Sequence, residues 1–243
     1  MKRGTLYGVG IGPGDPDLIT VKGAAILRAC RHVIVPKASK TANSVALDIV
    51  RKYLTPNTVV HECVFPMSRD RDELKARWRE AAEMVATLTA AGHDVVFVTL
   101  GDPLLYSTYI YLLEAVRELA PELEVVTIPG VAAFSAVAAA AHFPVGRAKE
   151  PVHIFPAADH AESLLSAMSM PGTIVLMKIG KRLPQVLEAV ERAHRSVDVV
   201  FGAHVGMENE CVERDLERLR RADAETGYLS TMIVRAKSQE SDA

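Results

Sequence analysis

The stretch that decides the fold is Gly8-Val9-Gly10-Ile11-Gly12-Pro13-Gly14-Asp15-Pro16-Asp17 (GVGIGPGDPD). It overlaps the apolar run that starts at Thr5, and together they predict a buried strand over 5–11 that ends in a glycine-rich turn. Glycines spaced this closely allow either a bulky ligand or a neighbouring loop to approach the backbone. The stretch therefore predicts a functional loop at the end of a first strand.

A nucleotide-phosphate cradle is the first alternative to weigh for this loop, and the residues do not fit it. In the dinucleotide fingerprint G-x-G-x-x-G, the third glycine position is Pro13 when counted from Gly8 and Asp15 when counted from Gly10. No P-loop lysine follows the turn. Pro13 and Pro16 lack the N–H groups that bind phosphate, and Asp15 would repel it. We expect no phosphate site here.

Strand-like and helix-like segments alternate along the whole chain, which predicts parallel strand pairing and an α/β fold. The polar stretch around Pro121 is the predicted boundary between an amino-terminal domain, 1–119, and a carboxy-terminal domain, 120–243. The predicted strands are Thr5–Ile11, His32–Val35, Val59–Phe65, Asp94–Leu100, Val125–Ile128, Val152–Phe155, Thr173–Met177, Val197–Phe201 and Tyr228–Val234. The predicted helices cover Leu18–Cys30, Ser44–Leu54, the segment from Asp70 to Gly92, Ser107–Leu119, Val131–Ala141, Ala161–Met168, Pro184–His194 and Arg214–Arg221.

Composition narrows the class of protein. The 243 residues are 49% hydrophobic and 24% charged, with a net charge of −2, which is typical of a globular protein without wholesale nucleic-acid binding. Three scattered cysteines predict no disulfide framework and favour a reducing cytoplasm. We expect no signal peptide after Met1, no membrane-spanning run and a disordered tail over 237–243.

Small-residue turns follow several predicted strands. In open α/β sheets, ligands bind beyond the carboxyl ends of the strands, so these turns are expected to gather around one site. A nucleoside without phosphates would suit them, because backbone groups can bind an adenine and a carboxylate can bind an ammonium or ribose hydroxyl. The turns are Gly12-Pro13-Gly14-Asp15, Gly101-Asp102-Pro103, Pro129-Gly130-Val131 and Met177-Lys178.

These turns, followed by Tyr228-Leu229-Ser230-Thr231, resemble in order and spacing the motifs of the tetrapyrrole methyltransferases, which use S-adenosylmethionine. The resemblance covers essentially the whole chain. Within that family, the chain is most similar to the precorrin-2 C-20-methyltransferases of cobalamin synthesis. The segments that carry this finer similarity are GTLYGVGIGPGDPDLITVKGAAILR, VIVPKAS, GDPLLYSTYIYL and IPGVAAFSA.

The resemblance implies two α/β domains with the active site in the cleft between them, in a homodimer. It implies S-adenosylmethionine as the methyl donor and a tetrapyrrole, precorrin-2, on the side of the first domain. The residues expected to bind S-adenosylmethionine are Pro13, Leu100, Gly101, Asp102, Leu105, Ser107, Thr108, Ala132, Ala133, Met177 and Val205.

The chain departs from the family pattern at the end of the second strand. Relatives that methylate uroporphyrinogen carry an aspartate there, which is interpreted as a proton acceptor, whereas this chain has Pro36 followed by Lys37. The uroporphyrinogen reaction is therefore not expected, and the catalytic residue stays unknown. The proton acceptors left open are Asp102, Tyr106, Glu150 and His153.

Cations are expected around the substrate, because it would carry eight carboxylates. No close set of histidines and carboxylates is present in the sequence, so no protein-bound metal is expected. The candidate carboxylate-binding residues are Lys22, Lys37, Lys40, Arg147, Lys149, Lys178 and Arg182.

The leading hypothesis is methylation of C-20 of precorrin-2 to give precorrin-3A. Action on cobalt-factor II or on another ring position stays open. A non-catalytic α/β module that binds a nucleoside or a tetrapyrrole is the alternative of another class, and Pro36 is the feature that favours it. A Rossmann dehydrogenase is a remote option because the fingerprint fails.

Overall fold

The chain forms two compact units, Met1–Ala132 and Ala133–Ala243. The structure is a computed structural model that describes residues 2–39, 41, 43–66, 70–156, 161–193, 197–222 and 224–236. Lys40, a candidate for carboxylate binding, and the tail 237–243, predicted to be disordered, lie outside the described residues.

Among the residues that the structure describes, the first unit contains five strands and four α-helices. Its sheet has the strand order β3-β2-β4-β1-β5, and all neighbouring strands pair in parallel. Parallel pairing as predicted from the alternation is thus confirmed for this unit. The strands are β1 (Leu6–Gly10), β2 (His32–Lys37), β3 (Val59–Val64), β4 (Val95–Thr99) and β5 (Val125–Ile128), and the helices are α1 (Val21–Ala29), α2 (Val45–Val50), α3 (Arg71–Ala90) and α4 (Tyr109–Leu119).

Strand β5 belongs to the first unit, although the predicted boundary at 119/120 assigns it to the second. It forms a register with β1 from Leu6↔Val125 to Val9↔Ile128, so it is the edge strand next to β1. The division between the compact units therefore lies beyond β5, at Ala132, because strand pairing holds β5 to the first sheet. The polar stretch around Pro121 is a loop within the first unit.

Side-chain caps set where the helices begin. The Thr20 hydroxyl accepts a hydrogen bond from the Gly23 amide at 3.1 Å, so α1 begins at Val21 and not at Leu18 as predicted. Asp70 accepts hydrogen bonds from the amides of Asp72 and Glu73 at 2.9 and 3.2 Å, which confirms the predicted start of α3.

Gly8 allows α4 to pack directly on β1. A Cβ added at Gly8 would lie 2.1 Å from Cζ of Tyr109, whose ring is fully buried beneath the helix. The Tyr109 hydroxyl also lies 2.9 Å from Oγ1 of Thr127 on β5. The Tyr109 side chain thus joins α4 to β1 and β5. Gly8, the first glycine of the opening stretch, is needed so that this ring can pack on the strand.

We predict that Gly8→Ala destabilises the protein by about 3 kcal/mol or more, because the new methyl group overpacks a buried site. Thermal unfolding followed by circular dichroism measures the loss. The control is Gly146→Ala, whose Cβ would meet nothing closer than 3.4 Å. If the clash is the cause, Gly8→Ala should cost much less in a Tyr109→Leu background, and equal costs in both backgrounds would contradict the explanation.

The second unit contains a mixed sheet in the order β6-β7-β10-β8-β9. Of the described strand pairs of this sheet, β6 and β7 pair in parallel and the other three pair antiparallel, so the prediction of parallel pairing is wrong for the rest of this sheet. The strands are β6 (Val152–Pro156), β7 (Thr173–Met177), β8 (Val197–Ala203), β9 (Cys211–Glu213) and β10 (Ser230–Ala236), and the helices are α5 (Ala133–Ala140), α6 (Ala161–Met168), α7 (Leu183–Arg192) and α8 (Leu216–Arg220).

Strand β10 explains the mixed pairing, because it inserts between β7 and β8 and runs antiparallel to both. Helices α6 and α7 contribute buried apolar residues, such as Leu164 and Val186, to the core on this sheet. Strand β9 was not predicted, because its three residues are too few to show a recognisable strand pattern. No described helix has both the length and the apolar character needed to span a bilayer.

The three cysteines are free, and none of them is in a disulfide. Burial raises the pKa of Cys30 and of Cys63 to about 11, so both thiols stay protonated at neutral pH. This agrees with the expectation that the chain has no disulfide framework.

Three histidines cluster in the first unit around the start of β2. Nδ1 of His32 lies 3.0 Å from Nε2 of His61, and the His32 and His93 ring centroids are 4.9 Å apart. Burial, and then the neighbouring His61, His93 and Arg31, lower the pKa of His32. Burial also lowers the pKa of His61. The folded protein therefore favours neutral imidazoles in this cluster.

We predict that the first unit loses stability as the pH falls below about 6.5, the ordinary histidine pKa. Unfolding raises the pKa of His32 and His61 to ordinary values, so the unfolded chain binds more protons in this range and the free energy of unfolding decreases. Urea unfolding at pH 7.5 and pH 5.5 (about one unit either side of that pKa), followed by the single tryptophan, Trp78, measures this.

The control for the pH series is His142→Asn, which removes an exposed histidine and should keep the wild-type pH dependence. His32→Asn should make the pH dependence shallower, because one of the two lowered groups is gone. A His32→Asn slope equal to that of the wild type would rule out the cluster as the cause.

Candidate functional site

The turns after β1 and β4 are joined at the carboxyl edge of the first sheet. The Ile11 amide donates to the Thr99 carbonyl at 3.0 Å, and the Gly101 amide donates to the Gly12 carbonyl at 2.8 Å. Gly12 and Gly101 have φ values of 76° and 68°, which glycine adopts without steric cost. The GPGD and GDP motifs of the sequence therefore form one backbone-bonded pair of loops.

The turn after β5 packs against the same pair of loops through glycine alone. A Cβ at Gly130 would lie 2.2 Å from the Gly101 carbonyl oxygen, and a Cβ at Gly10 would lie 2.6 Å from the Gly130 nitrogen. Such distances exclude any side chain at these positions. Of the two explanations for the bare backbone, the approach of neighbouring loops accounts for Gly10, Gly101 and Gly130.

Asp102 fastens this arrangement with both oxygens of its carboxylate. Oδ1 accepts from the Leu104 amide at 2.9 Å, and Oδ2 accepts from the Gly130 amide at 3.1 Å. The carboxylate thus stabilises its own loop and binds the Pro-Gly turn after β5. Because both oxygens are hydrogen-bonded, we assign Asp102 a structural role at this edge, ahead of the proton-acceptor role considered from sequence.

Ser107 anchors the start of α4 to β4. Its hydroxyl lies 2.8 Å from Oγ1 of Thr99 and accepts from the Tyr109 amide at 3.1 Å, and both Ser107 and Thr99 are buried. Tyr106, just before it, has φ 53°, in the left-handed region that is unfavourable for residues with a Cβ. The segment 101–108 is therefore a tightly held loop that runs from the end of β4 to the start of α4 and is tied back to β4 by Ser107.

The accessible parts of this loop are mainly apolar. Leu104 is 57% exposed, and Leu100 and Leu105 are partly exposed. Pro13 follows directly after Gly12, and Ala132 follows two residues after Gly130, so both belong to the turns at this edge. The structure brings together the predicted site residues of the first unit: Pro13, Leu100, Gly101, Asp102, Leu105, Ser107, Thr108 and Ala132.

Removal of the Asp102 carboxylate should loosen this edge. We predict that Asp102→Ala destabilises the protein by about 1–3 kcal/mol, because the Gly130 and Leu104 amides lose their acceptors. Hydrogen exchange measured by mass spectrometry should show faster exchange at these two amides. The control is Asp15→Ala, which removes a carboxylate that accepts from the amide of Asp17 at an exposed turn. Unchanged exchange at Gly130 in Asp102→Ala would contradict the fastening role.

Met177 and Val205 lie at one edge of the second sheet. Met177 is the last residue of β7 and pairs with Thr231. Ala203 is the last residue of β8 and pairs with Ser230, so Val205 lies two residues beyond the end of β8. Met177 and Val205 are each 9% exposed. Ala133 is the first residue of α5, which packs on β8 through Val137 and Gly202. The second unit therefore places two of its three predicted residues at the same sheet edge.

This edge of the second sheet contains unusual backbone conformations. Lys178, His204 and Leu229 have φ values of 56°, 52° and 47°. Lys178 directly follows β7, His204 directly follows β8, and Leu229 directly precedes β10. The His204 amide donates a hydrogen bond to the Leu229 carbonyl at 3.2 Å. Non-glycine residues in the left-handed region are strained, and such residues concentrate at functional sites. The sequence carried no signal for these conformations.

The candidate carboxylate-binding cations lie partly at the carboxyl ends of strands and partly at the amino end of β6. Lys37 ends β2 and pairs with Glu62 at 3.0 Å, Lys22 lies in the first turn of α1, and Lys178 and Arg182 follow β7. Of the proton-acceptor candidates, Glu150 precedes β6 and His153 is its second residue. Both therefore lie at the amino end of β6, whereas Met177 pairs with Pro156 at its carboxyl end. The same holds for the exposed Arg147 and Lys149. Within the residues described here, no group of histidines, cysteines and carboxylates is arranged to hold a metal ion.

Comparison with known proteins decides the family. The family model described as Tetrapyrrole (Corrin/Porphyrin) Methylases matches residues 5–219. The chain belongs to the tetrapyrrole methylases. This tetrapyrrole methylase is 35% identical over 233 residues to the cobalt-precorrin-2 C(20)-methyltransferase of Salmonella typhimurium, with 96% of each chain covered. It is 30% identical over 240 residues to the precorrin-2 C(20)-methyltransferase of a Sinorhizobium species, with 95% of each chain covered.

Solved structures of tetrapyrrole methylases share the fold. A cobalt precorrin-4 methyltransferase superposes with a TM-score of 0.74 at 23% identity, covering 95% of this chain and 94% of that one. The uroporphyrin-III C-methyl transferase of Thermus thermophilus, complexed with S-adenyl homocysteine, superposes with a TM-score of 0.65 at 19% identity, covering 96% and 92%. The α/β fold of a tetrapyrrole methylase, which the sequence predicted, is confirmed, and the structure shows that it contains two sheets.

Proposed function

We propose that this tetrapyrrole methylase transfers a methyl group from S-adenosylmethionine to C-20 of precorrin-2, giving precorrin-3A. The observation that carries the proposal is the similarity along almost the entire chain to proteins named as C(20)-methyltransferases of precorrin-2 or its cobalt form. The joined loops at the carboxyl edge of the first sheet support it, because ligands of parallel sheets bind at that edge.

The residues at this edge fit a nucleoside methyl donor. Leu100 and Leu105 offer partly exposed apolar surface suited to the adenosine, beside the turns that meet at Gly101 and Gly130. The Asp102 carboxylate is already bound by two amides, so we assign it to shaping the loop and not to binding the donor's ammonium. The contacts expected from Ala133, Met177 and Val205 stay predictions.

The chain's contribution to the reaction is positioning. S-adenosylmethionine supplies a methyl group that is already activated on a sulfonium sulfur, so no covalent help from the protein is required. Holding two reactants aligned for an in-line displacement can contribute up to about 7–11 kcal/mol to lowering the barrier. The loop pair bonded through Gly12 and Gly101, and fastened by Asp102, provides the rigidity that such alignment needs.

A proton leaves the carbon that is methylated, and no acceptor stands out among the residues considered. Glu150 and His153 lie at the amino end of β6, and the oxygens of Asp102 are hydrogen-bonded. Tyr106 is partly exposed in the loop beside Ser107, so it is the remaining candidate at this edge. Solvent is the alternative acceptor, since Pro36 stands where the uroporphyrinogen enzymes carry an aspartate.

Incubation with precorrin-2 and donor labelled with ¹³C in its methyl group, without oxygen, tests the proposal. We expect one labelled methyl at C-20 by NMR and one S-adenosylhomocysteine for each methyl transferred. The control is Met177→Arg, which places a charge at a residue that is 9% exposed and should block donor binding; its folding is checked by circular dichroism. Donor binding without S-adenosylhomocysteine would favour the non-catalytic module, and a methyl elsewhere would correct the ring position.

A cobalt-bound substrate is the second candidate. It is favoured by the name of the Salmonella typhimurium relative, which specifies cobalt-precorrin-2, whereas the Sinorhizobium relative is named for precorrin-2 without cobalt. Parallel assays with the metal-free and cobalt-bound macrocycles compare kcat/KM directly, and the larger value identifies the substrate. The homodimer and the cytoplasmic location expected from the resemblance stay predictions that light scattering and fractionation can test.

A further inference from the structure

Lys178 combines a backbone conformation that is unfavourable for its residue type with a lowered pKa. Its φ of 56° is unfavourable for a residue with a Cβ, although glycine would adopt it freely. Its pKa is lowered by burial, so the surroundings disfavour the charged ammonium, while a good part of the side chain stays accessible to solvent. A strained and partly desolvated cation indicates a functional role.

Two cations of low exposure in this protein have carboxylate partners. The side chains of Lys37 and Arg235 are each 11% exposed, and they pair with Glu62 at 3.0 Å and with Asp198 at 3.6 Å. Lys178, by contrast, forms no ion pair with any of the residues that the structure describes. Lys178 is also more exposed than these two cations, so its ammonium is accessible and can bind an anion from outside the chain.

The surroundings of Lys178 favour an anionic ligand. It directly follows Met177 at the edge that also contains Val205. Two further cations, Lys181 and Arg182, lie in the next turn, so the segment 178–182 carries positive charge only. Clustered charge of one sign attracts a ligand of opposite sign and steers its approach.

We propose that the Lys178 ammonium binds a side-chain carboxylate of the tetrapyrrole substrate and so determines specificity for a polyacidic macrocycle. This inference rests on the proposed function. The carboxylate of S-adenosylmethionine is the other possible source of the same chemistry. We favour the macrocycle because the donor's carboxylate has its own ammonium on the adjacent carbon, whereas the macrocycle's acidic side chains have no cation of their own.

The variant that tests the inference is Lys178→Gly. Glycine removes the ammonium and adopts φ 56° without strain, so folding should be unchanged or improved, and thermal unfolding checks this. We expect the dissociation constant of precorrin-2 and its KM to rise about tenfold or more, as for the loss of one charge-assisted hydrogen bond. The kcat and the dissociation constant of S-adenosylmethionine should stay within about twofold, which is inside the scatter of such measurements.

Two further variants separate a specific contact from general attraction. Lys178→Arg should restore most of the affinity, because it retains a donor cation. Lys181→Ala removes a charge of the same sign from the next turn and should raise the KM by less than about threefold, as expected for an exposed charge. A KM unchanged in Lys178→Gly, an equal rise in Lys181→Ala, or a loss confined to S-adenosylmethionine affinity would each overturn the proposal.

Equilibrium binding keeps this test separate from the test of the reaction. Wild-type protein that binds precorrin-2 but does not methylate it would overturn the proposed function, and the Lys178→Gly comparison would still decide the carboxylate contact. Wild-type protein that binds no precorrin-2 would overturn both.

Discussion

The close approach of three backbone turns at the carboxyl edge of the first sheet is the constraint on which the rest of the site depends. Gly10 and Gly130 approach each other and the Gly101 carbonyl at distances that leave no room for a Cβ on either residue. The Asp102 carboxylate bonds to the Gly130 amide across this contact. Because backbone hydrogen bonds and one short carboxylate hold these loops, their shape does not depend on long, flexible side chains. A rigid surface of this kind suits a reaction that relies on alignment.

The second sheet achieves order at its edge in a different way. Instead of glycines alone, Lys178, His204 and Leu229 adopt the left-handed conformation next to buried strands. The strands on both sides, β7 and β8 against β10, supply the hydrogen bonds that hold these residues in place. The stability of the sheet thus maintains strained positions that would relax in an isolated peptide.

The sequence predicted the strands and helices well, because buried parallel strands are continuous apolar runs and helices carry caps such as Asp70. It also located the motifs that meet at the first edge. It could not predict that β10 would insert antiparallel between β7 and β8, since pairing partners are set by tertiary contacts. The sequence also could not show whether the Asp102 carboxylate binds S-adenosylmethionine or the Gly130 amide, because either role requires an aspartate at this position.

The short connection from β5 to α5 has a consequence for recombination between relatives. Residues 129–132 leave the edge strand of the first sheet and, through Gly130, are part of the joined turns, before α5 opens the second unit at Ala133. A chimera spliced at the polar stretch near Pro121 would take β5 from one parent and β1 and Asp102 from the other. A functional exchange of halves should therefore keep everything up to Ala132 from a single parent.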